Sequence, residues 1–145
     1  MQIKELGHVV LYVTNLDRAV HFYRDILGFT AIAVKPGVAA FSSGRTHHEL
    51  LLIEIGGAPR TDHEPQPGLY HIGFKIGDST EELRTVYKEL LAQNVSIIGA
   101  TDHGVTHSLY ILDPDGNELE LYADVSDDWK TNPAAIMSQP RALRL

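Results

Sequence analysis

Two histidines and one glutamate of this sequence have the types and spacing of a metal site. His8 and His71 each lie next to a segment of alternating apolar residues, and Glu120 lies within a third such segment. The apolar alternants must face a covering helix, so all three polar side chains are expected on the opposite face of the sheet. Two imidazoles with one carboxylate suit Fe(II) and leave coordination positions open, although Mn(II) or Zn(II) could also bind there.

Other polar side chains could act beside such a metal. His47 and His48 open a predicted strand, where neighbours face opposite sides, so at most one of them points inward and could carry protons. Tyr110 precedes Glu120 by ten residues across a tight turn, which would bring a phenol near the metal. His103 lies in a loop, and its direction is left open. The remaining candidates are expected to lie at the surface or to point away from the site: His21, His63, His107 and Glu118.

The elements that position these residues occur twice in the order strand, helix and three strands. His8 and His71 lie 63 residues apart at corresponding points, which indicates an internal duplication. Asn15 is the expected N-cap of the first helix, and Ser79 begins a capping box for the second. The expected strands cover residues 6–13, 29–34, 38–42 and 48–55 in the first module and 69–76, 96–100, 108–112 and 118–122 in the second.

The predicted fold is therefore α+β, with two βαβββ modules that form a curved mixed sheet around the metal site. Residues 1–124 form a single domain, divided into module one (1–56), a linker (57–68) rich in glycine and proline, and module two (69–124). Residues 125–145 form a tail in which Asn132-Pro133 is the expected start of a helix.

Composition excludes several classes of function. The 145 residues carry a net charge of −7, which argues against nucleic acid or an anionic membrane as the partner. No run of about 20 apolar residues predicts a membrane span, and residues 1–6 lack a signal-peptide pattern. The sequence has no cysteine, so a metal must bind nitrogen and oxygen ligands. A cytoplasmic protein is the simplest interpretation.

These motifs together resemble the vicinal oxygen chelate superfamily of glyoxalases, fosfomycin-resistance and bleomycin-binding proteins and type I extradiol dioxygenases. The resemblance extends to about residue 124 and implies paired βαβββ modules around a metal. It rests on Gly7-His8-Val9, Asn15-Leu16-Asp17-Arg18-Ala19, Phe22-Tyr23, Leu27-Gly28-Phe29 and Asp113-Pro114-Asp115-Gly116-Asn117 with Glu120.

Within the superfamily, the sequence is most similar to the extradiol, catechol 2,3-type dioxygenases. The similarity lies in His47-His48, in Tyr70-His71-Ile72-Gly73-Phe74 and in residues 102–110. It implies that a catechol-type aromatic substrate reacts with dioxygen. It also implies these roles: His8, His71 and Glu120 bind Fe(II), His48 is the acid/base, Tyr110 contacts the catecholate, and His103 is a further polar group of the site.

Three alternatives remain at this point. A glyoxalase-like lyase or isomerase would use Ni(II) or Zn(II) and a carboxylate from the first module, which Glu54 could supply. A thiol transferase of the fosfomycin-resistance type would also use a divalent metal, whereas a bleomycin-binding type of module would need none. Many dioxygenases of the family have four modules and this chain has two, so its pocket is expected to need the tail or another subunit, as in a homo-oligomer.

Overall fold

A computed structural model describes residues 1–62 and 64–145, so His63 lies outside the described residues. The element order confirms the duplicated βαβββ pattern. The first module contains β1 (Val9–Val13), α1 (Leu16–Val20), which continues as a π-helical segment (His21–Ile26), β2 (Thr30–Lys35), β3 (Val38–Ser42) and β4 (Leu50–Glu54). The second contains β5 (His71–Gly77), α2 (Thr80–Ala92), β6 (Ile97–Asp102), β7 (Thr106–Leu112) and β8 (Glu118–Asp124).

Each module forms its own mixed sheet. The first sheet has the order β1-β4-β3-β2, and the second has the order β5-β8-β7-β6-β9. In both, the opening strand pairs in parallel with the last strand of its module, and the other pairs are antiparallel. The first and last strands of each module are therefore neighbours, so residues on them can share a site.

Side-chain caps begin both helices, as the sequence predicts. The Asn15 side chain accepts a hydrogen bond from the N–H of Arg18 at 2.8 Å. The Ser79 hydroxyl accepts from the N–H of Glu82, and the carboxylate of Glu82 in turn accepts from Ser79 and from the N–H of Asp78, which completes the capping box.

The apolar alternants of the strands pack beneath the helices. In the first module, Leu11, Val13, Leu50 and Leu52 are buried on the helix side of the sheet. In the second, the buried strand residues are Leu109, Ile111, Leu119, Leu121 and Ala123, and α2 contributes Leu83 and Leu90. Strand periodicity then directs Glu120 and Tyr110, which alternate with these residues, to the other face of the second sheet.

The tail adds to the edge of the second sheet. Two short 3₁₀ helices (Asp128–Lys130 and Pro133–Met137) lead to β9 (Arg141–Ala142), which pairs with β6. Pro133 is the first residue of the second 3₁₀ helix, so the expected helix start is confirmed.

The described residues divide into two compact units. The first comprises residues 1–62 with the turn residues 114–116, and the second comprises residues 64–113 and 117–145. Within the described part of the chain, no helix is both long enough and apolar enough to cross a membrane.

Candidate metal centre

The second unit places His71 beside the predicted carboxylate ligand. On the paired strands β5 and β8, His71 lies opposite Glu118 and Gly73 lies opposite Glu120. The Nε2 atom of His71 is 3.1 Å from Oε2 of Glu120, and the two side chains are 26% and 17% exposed. A Cβ at Gly73 would lie 3.5 Å from Glu120 Oε2, so glycine keeps the space beside this carboxylate open.

Tyr110 and His103 extend this cluster. Tyr110 faces Glu120 in the β7–β8 register, and its hydroxyl donates a hydrogen bond to Glu120 Oε1 at 3.2 Å. His103 Nε2 lies 2.8 Å from the same hydroxyl. When the phenol hydrogen is directed to Glu120, the Nε2–H of His103 donates to the phenol oxygen. Burial and the charge of Glu120 raise the pKa of Tyr110, so its phenol stays protonated well above neutral pH.

Glu118 is much less exposed to solvent than the sequence predicts. Its side chain is only 16% exposed, and its Oε1 lies 3.7 Å from Nδ1 of His71, which is buried and has no hydrogen-bond partner. A hydrogen bond between Tyr70 and Glu118 raises the pKa of the tyrosine. Strand alternation places Glu118 on the same face as Glu120 and was the sequence signal for its direction, whereas its contact with His71 depends on the register of β5 against β8. His107, by contrast, lies 2.8 Å from the hydroxyl of Thr80 at the start of α2, on the helix side.

The first unit brings His8 and His48 together. His8 directly precedes β1, and its ring centroid is 4.5 Å from that of His48. The His47 ring lies at the same centroid distance from His48, and the Nδ1 atoms of these two histidines are 2.5 Å apart. Strand alternation does not apply to His47 and His48, because both lie in the loop before β4 rather than on the strand.

The environment of His48 favours its neutral form. Burial lowers the pKa of the imidazole, and the neighbouring rings of His47 and His8 lower it further. A neutral imidazole near neutral pH is able to accept a proton.

Glu54, the alternative carboxylate of the first module, has a structural partner. Its Oε1 accepts a hydrogen bond from the N–H of Leu16 at 2.9 Å, at the first residue of α1. Glu54 pairs with Val13 in the β1–β4 register, and Val13 is buried on the helix side. Glu54 therefore belongs to the helix side of its sheet.

The predicted ligands are distributed over both units, with His8 in the first and His71 and Glu120 in the second. Within residues 1–62 and 64–145, no three His, Asp or Glu side chains are grouped so that they could hold a metal ion. The complete set of three ligands stays a prediction.

The distance between the donor atoms of His71 and Glu120 is compatible with a divalent metal bound to both. Two donors about 2.1 Å from one ion and at right angles to each other lie about 3 Å apart. The observed separation of Nε2 and Oε2 is 3.1 Å. An imidazole nitrogen beside a carboxylate oxygen is also the donor chemistry that Fe(II), Mn(II) and Zn(II) accept.

The family model described as "Glyoxalase/Bleomycin resistance protein/Dioxygenase superfamily" matches residues 5–121. The chain belongs to this superfamily, as its duplicated βαβββ fold also indicates. Members of the superfamily are mostly enzymes, and they bind divalent metals and act on small molecules.

Individual relatives differ in the chemistry that their names describe. The chain is 31% identical over 119 residues to a catechol-2,3-dioxygenase of Bacillus subtilis; the match covers 82% of this chain and 41% of that protein. It is also 31% identical over 128 residues to the metallothiol transferase FosB of Staphylococcus haemolyticus, with 87% of this chain and 88% of that protein covered.

A solved structure shows the same fold with a third chemistry. The lactoylglutathione lyase of Agrobacterium tumefaciens superposes with a TM-score of 0.64 and 27% identity, over 85% of this chain and 97% of the other. Since the relatives are similarly distant, identity alone assigns the chain to the superfamily and does not choose among these reactions.

Proposed function

We propose that this protein is an Fe(II)-dependent extradiol dioxygenase that cleaves a catechol-type aromatic ring. The observation that supports the proposal is the pair of His71 and Glu120, whose Nε2 and Oε2 atoms are 3.1 Å apart. The predicted donor set adds His8 to this pair, so it contains two imidazoles but only one carboxylate. His8, His71 and Glu120 would hold the metal.

The two sheets explain why the first module supplies no carboxylate at the position that corresponds to Glu120. Gly73, two residues after His71, pairs with Glu120. Val10, two residues after His8, pairs with Leu51. Leu51 therefore occupies the position in the first module that Glu120 occupies in the second. A glyoxalase-like site would need a carboxylate from the first module, and the apolar Leu51 cannot supply one.

His8, His71 and Glu120 would hold ferrous iron, which would supply the redox chemistry by which dioxygen reacts with a catechol. In the overall reaction, the ring carbon–carbon bond beside the diol breaks and both atoms of dioxygen enter the product. No further oxidant or reductant is consumed.

His48 is proposed as the acid/base. Its lowered pKa keeps the imidazole neutral and ready to accept the proton of a catechol hydroxyl. The Nδ1 atom of His48 is engaged by His47, which leaves Nε2 as the nitrogen available to the substrate. The same nitrogen could return the proton to the product.

Tyr110 and His103 are proposed to orient the substrate and the carboxylate ligand. The Tyr110 phenol is held between Glu120 and His103, so its position is defined from two sides. Since its pKa is raised, the phenol keeps its single hydrogen. If Glu120 binds the metal, this hydrogen can turn from Glu120 to the catecholate and stabilise the negative charge that develops there.

A thiol transferase of the FosB type is the second candidate, because the chain matches almost the whole length of that relative and less than half of the dioxygenase. A phosphonate substrate would favour free cationic side chains near the metal. On the inward side of β5, Lys75 is already paired with Asp78 at 2.5 Å and Asp124 at 2.7 Å. These ion pairs favour the dioxygenase.

Anaerobic reconstitution tests the proposal. Apoprotein is loaded with Fe(II), mixed with a panel of catechols, and exposed to oxygen, and both oxygen uptake and the yellow ring-cleavage product are followed. We expect both signals with at least one catechol and neither with Ni(II). No oxygen uptake with any catechol, together with activity of the Ni(II) form on a thiohemiacetal or of a Mn(II) form on fosfomycin and a thiol, would refute it.

A further inference from the structure

Arg45 joins the segment that carries His8 to the loop that carries His48. Its Nη2 donates hydrogen bonds to the backbone oxygens of Leu6 and Gly7, each at 3.1 Å. Its Nη1 donates to Oε2 of Glu5 at 3.2 Å. One guanidinium thus binds three acceptors in the three residues directly before His8. We propose that Arg45 is a positioning residue that sets the relative placement of the His8 and His48 rings.

The backbone on the other side of His8 is bound to the same loop. The N–H of Val9 donates to the backbone oxygen of Glu49 at 2.9 Å. His8 is therefore flanked by Gly7, whose oxygen Arg45 binds, and by Val9, whose N–H Glu49 binds. Both partners come from the loop around His48, so the geometry of this loop is transmitted to His8 from two directions.

The loop itself is internally braced. Glu49 accepts hydrogen bonds from the N–H groups of Ser43 and Thr46 at 2.6 and 2.5 Å. The hydroxyl of Thr46 donates to the backbone oxygen of His48 at 2.8 Å. Because Glu49 fixes the loop, the guanidinium of Arg45 connects a rigid support to the otherwise exposed residues 1–6 and to Gly7.

The contact needs an arginine rather than any positive charge. The planar guanidinium presents several N–H groups in fixed directions, so it can bind two backbone carbonyls and one carboxylate together, whereas a lysine ammonium is a compact charge that does not match this fork. The Arg45 side chain is 48% exposed, so its removal deletes these hydrogen bonds without opening a cavity in a core.

The catalytic consequence rests on the proposed function. If His8 binds the metal and His48 exchanges the proton, the spacing of the two rings decides the distance between His48 and a substrate bound at the metal. The observed 4.5 Å between the ring centroids is the geometry that Arg45 is inferred to maintain.

The test compares the wild-type chain with Arg45→Ala, Arg45→Lys and the control Arg24→Ala. Arg24 is similarly exposed, at 49%, and its ion pair is with Asp25, its neighbour in the chain, at the end of the first helix. In the apoprotein, NMR cross-peaks between the ring protons of His8 and His48 report their distance. A titration with Fe(II) under anaerobic conditions gives the dissociation constant, and kcat and KM for a catechol are measured on the loaded protein.

We expect Arg45→Ala to lose the His8–His48 cross-peaks, to weaken Fe(II) binding by about 10–100-fold and to lower kcat more than it raises KM. Arg45→Lys retains the charge, and its cross-peaks, Fe(II) affinity and kcat are expected to lie between those of Arg45→Ala and wild type. It also replaces Arg45→Ala in the test if the alanine variant does not fold. Arg24→Ala should match wild type.

Unchanged cross-peaks and an Fe(II) dissociation constant within twofold of wild type in Arg45→Ala, or full rescue by Arg45→Lys, would overturn the proposal. The apoprotein cross-peaks do not depend on the reaction. If they are lost while no catechol is oxidised, the proposed function fails and the positioning role stands.

Discussion

The carboxylate of Glu54 accepts a hydrogen bond from the backbone N–H of Leu16 at 2.9 Å, so it caps the first helix. This contact separates a dioxygenase-type donor set from a glyoxalase-type one. We expect Glu54→Gln, whose amide oxygen can still accept from Leu16, to bind Fe(II) as wild type does. We expect Glu120→Gln to weaken Fe(II) binding by at least about 10-fold. Metal dissociation constants measured side by side check this, and equal weakening in both variants would favour a glyoxalase-like site.

Substitution of His48 separates proton transfer from metal binding. His48→Gln should still bind Fe(II), because His48 is not among the proposed ligands. Its kcat should fall by about 10²–10⁴-fold, the range expected for loss of a general acid/base. The matched control is His21→Gln, since His21 is 65% exposed and pairs with Asp25 on the first helix. Loss of metal from the His48 variant in parallel with activity would contradict the assigned role.

Removal of the Tyr110 hydroxyl should lower the catalytic efficiency but leave the stability of the fold nearly unchanged. Tyr110→Phe loses the hydrogen bonds to Glu120 and His103 but retains the ring. We expect kcat/KM for a catechol to fall by about 10-fold or more, since one neutral hydrogen bond to developing charge is lost. Thermal unfolding should change little. Tyr87→Phe on α2 is the control, and the same decrease in that variant would show that the effect is not specific to the site.

The turn residue Gly116 should be intolerant of a side chain. Its φ is +81°, and a Cβ would clash with the backbone oxygen of Arg60. Gly28 has a similar φ of +78° but nothing within 4 Å of its would-be Cβ. Gly28→Ala therefore measures the backbone cost alone, about 1–2 kcal/mol. Gly116→Ala should cost at least about 1 kcal/mol more because of the clash. Urea unfolding of the two variants gives the difference, and equal losses would rule out the clash.

Acid should weaken the loop that carries His48. Burial opposes ionisation of Glu49, but hydrogen bonds from Ser43 and Thr46 outweigh it and lower the pKa from its ordinary 4.5 to about 2. A carboxyl whose pKa is lower in the folded state stabilises the fold above its unfolded-state pKa and loses this contribution as pH falls. The stability difference between wild type and Glu49→Gln should therefore shrink between about pH 5 and pH 2. Urea unfolding across this range checks it, and a constant difference would exclude a role for the ionised form.

Much of the fold follows from local patterns in the sequence. Apolar alternation along the strands identifies the buried face, because successive strand residues point to opposite sides. The same rule correctly brings Tyr110 and Glu120 to one face, and the caps at Asn15 and Ser79 mark the helix starts. The repeated element order indicates two modules of the same fold. These features are predictable because each depends on residues close together in the chain.

The remaining features are decided by tertiary contacts. His48 lies in a loop, where strand alternation does not define the direction of a side chain, so its ring contact with His8 was not predictable from the sequence. Arg45 acts on residues about 40 positions earlier, and Glu118 reaches His71 only through the pairing of β5 with β8. The sequence by itself determined the faces of the sheets and the types of side chain that we propose as metal donors. Strand register and loop contacts decided which side chains meet, because those distances depend on how distant segments pack.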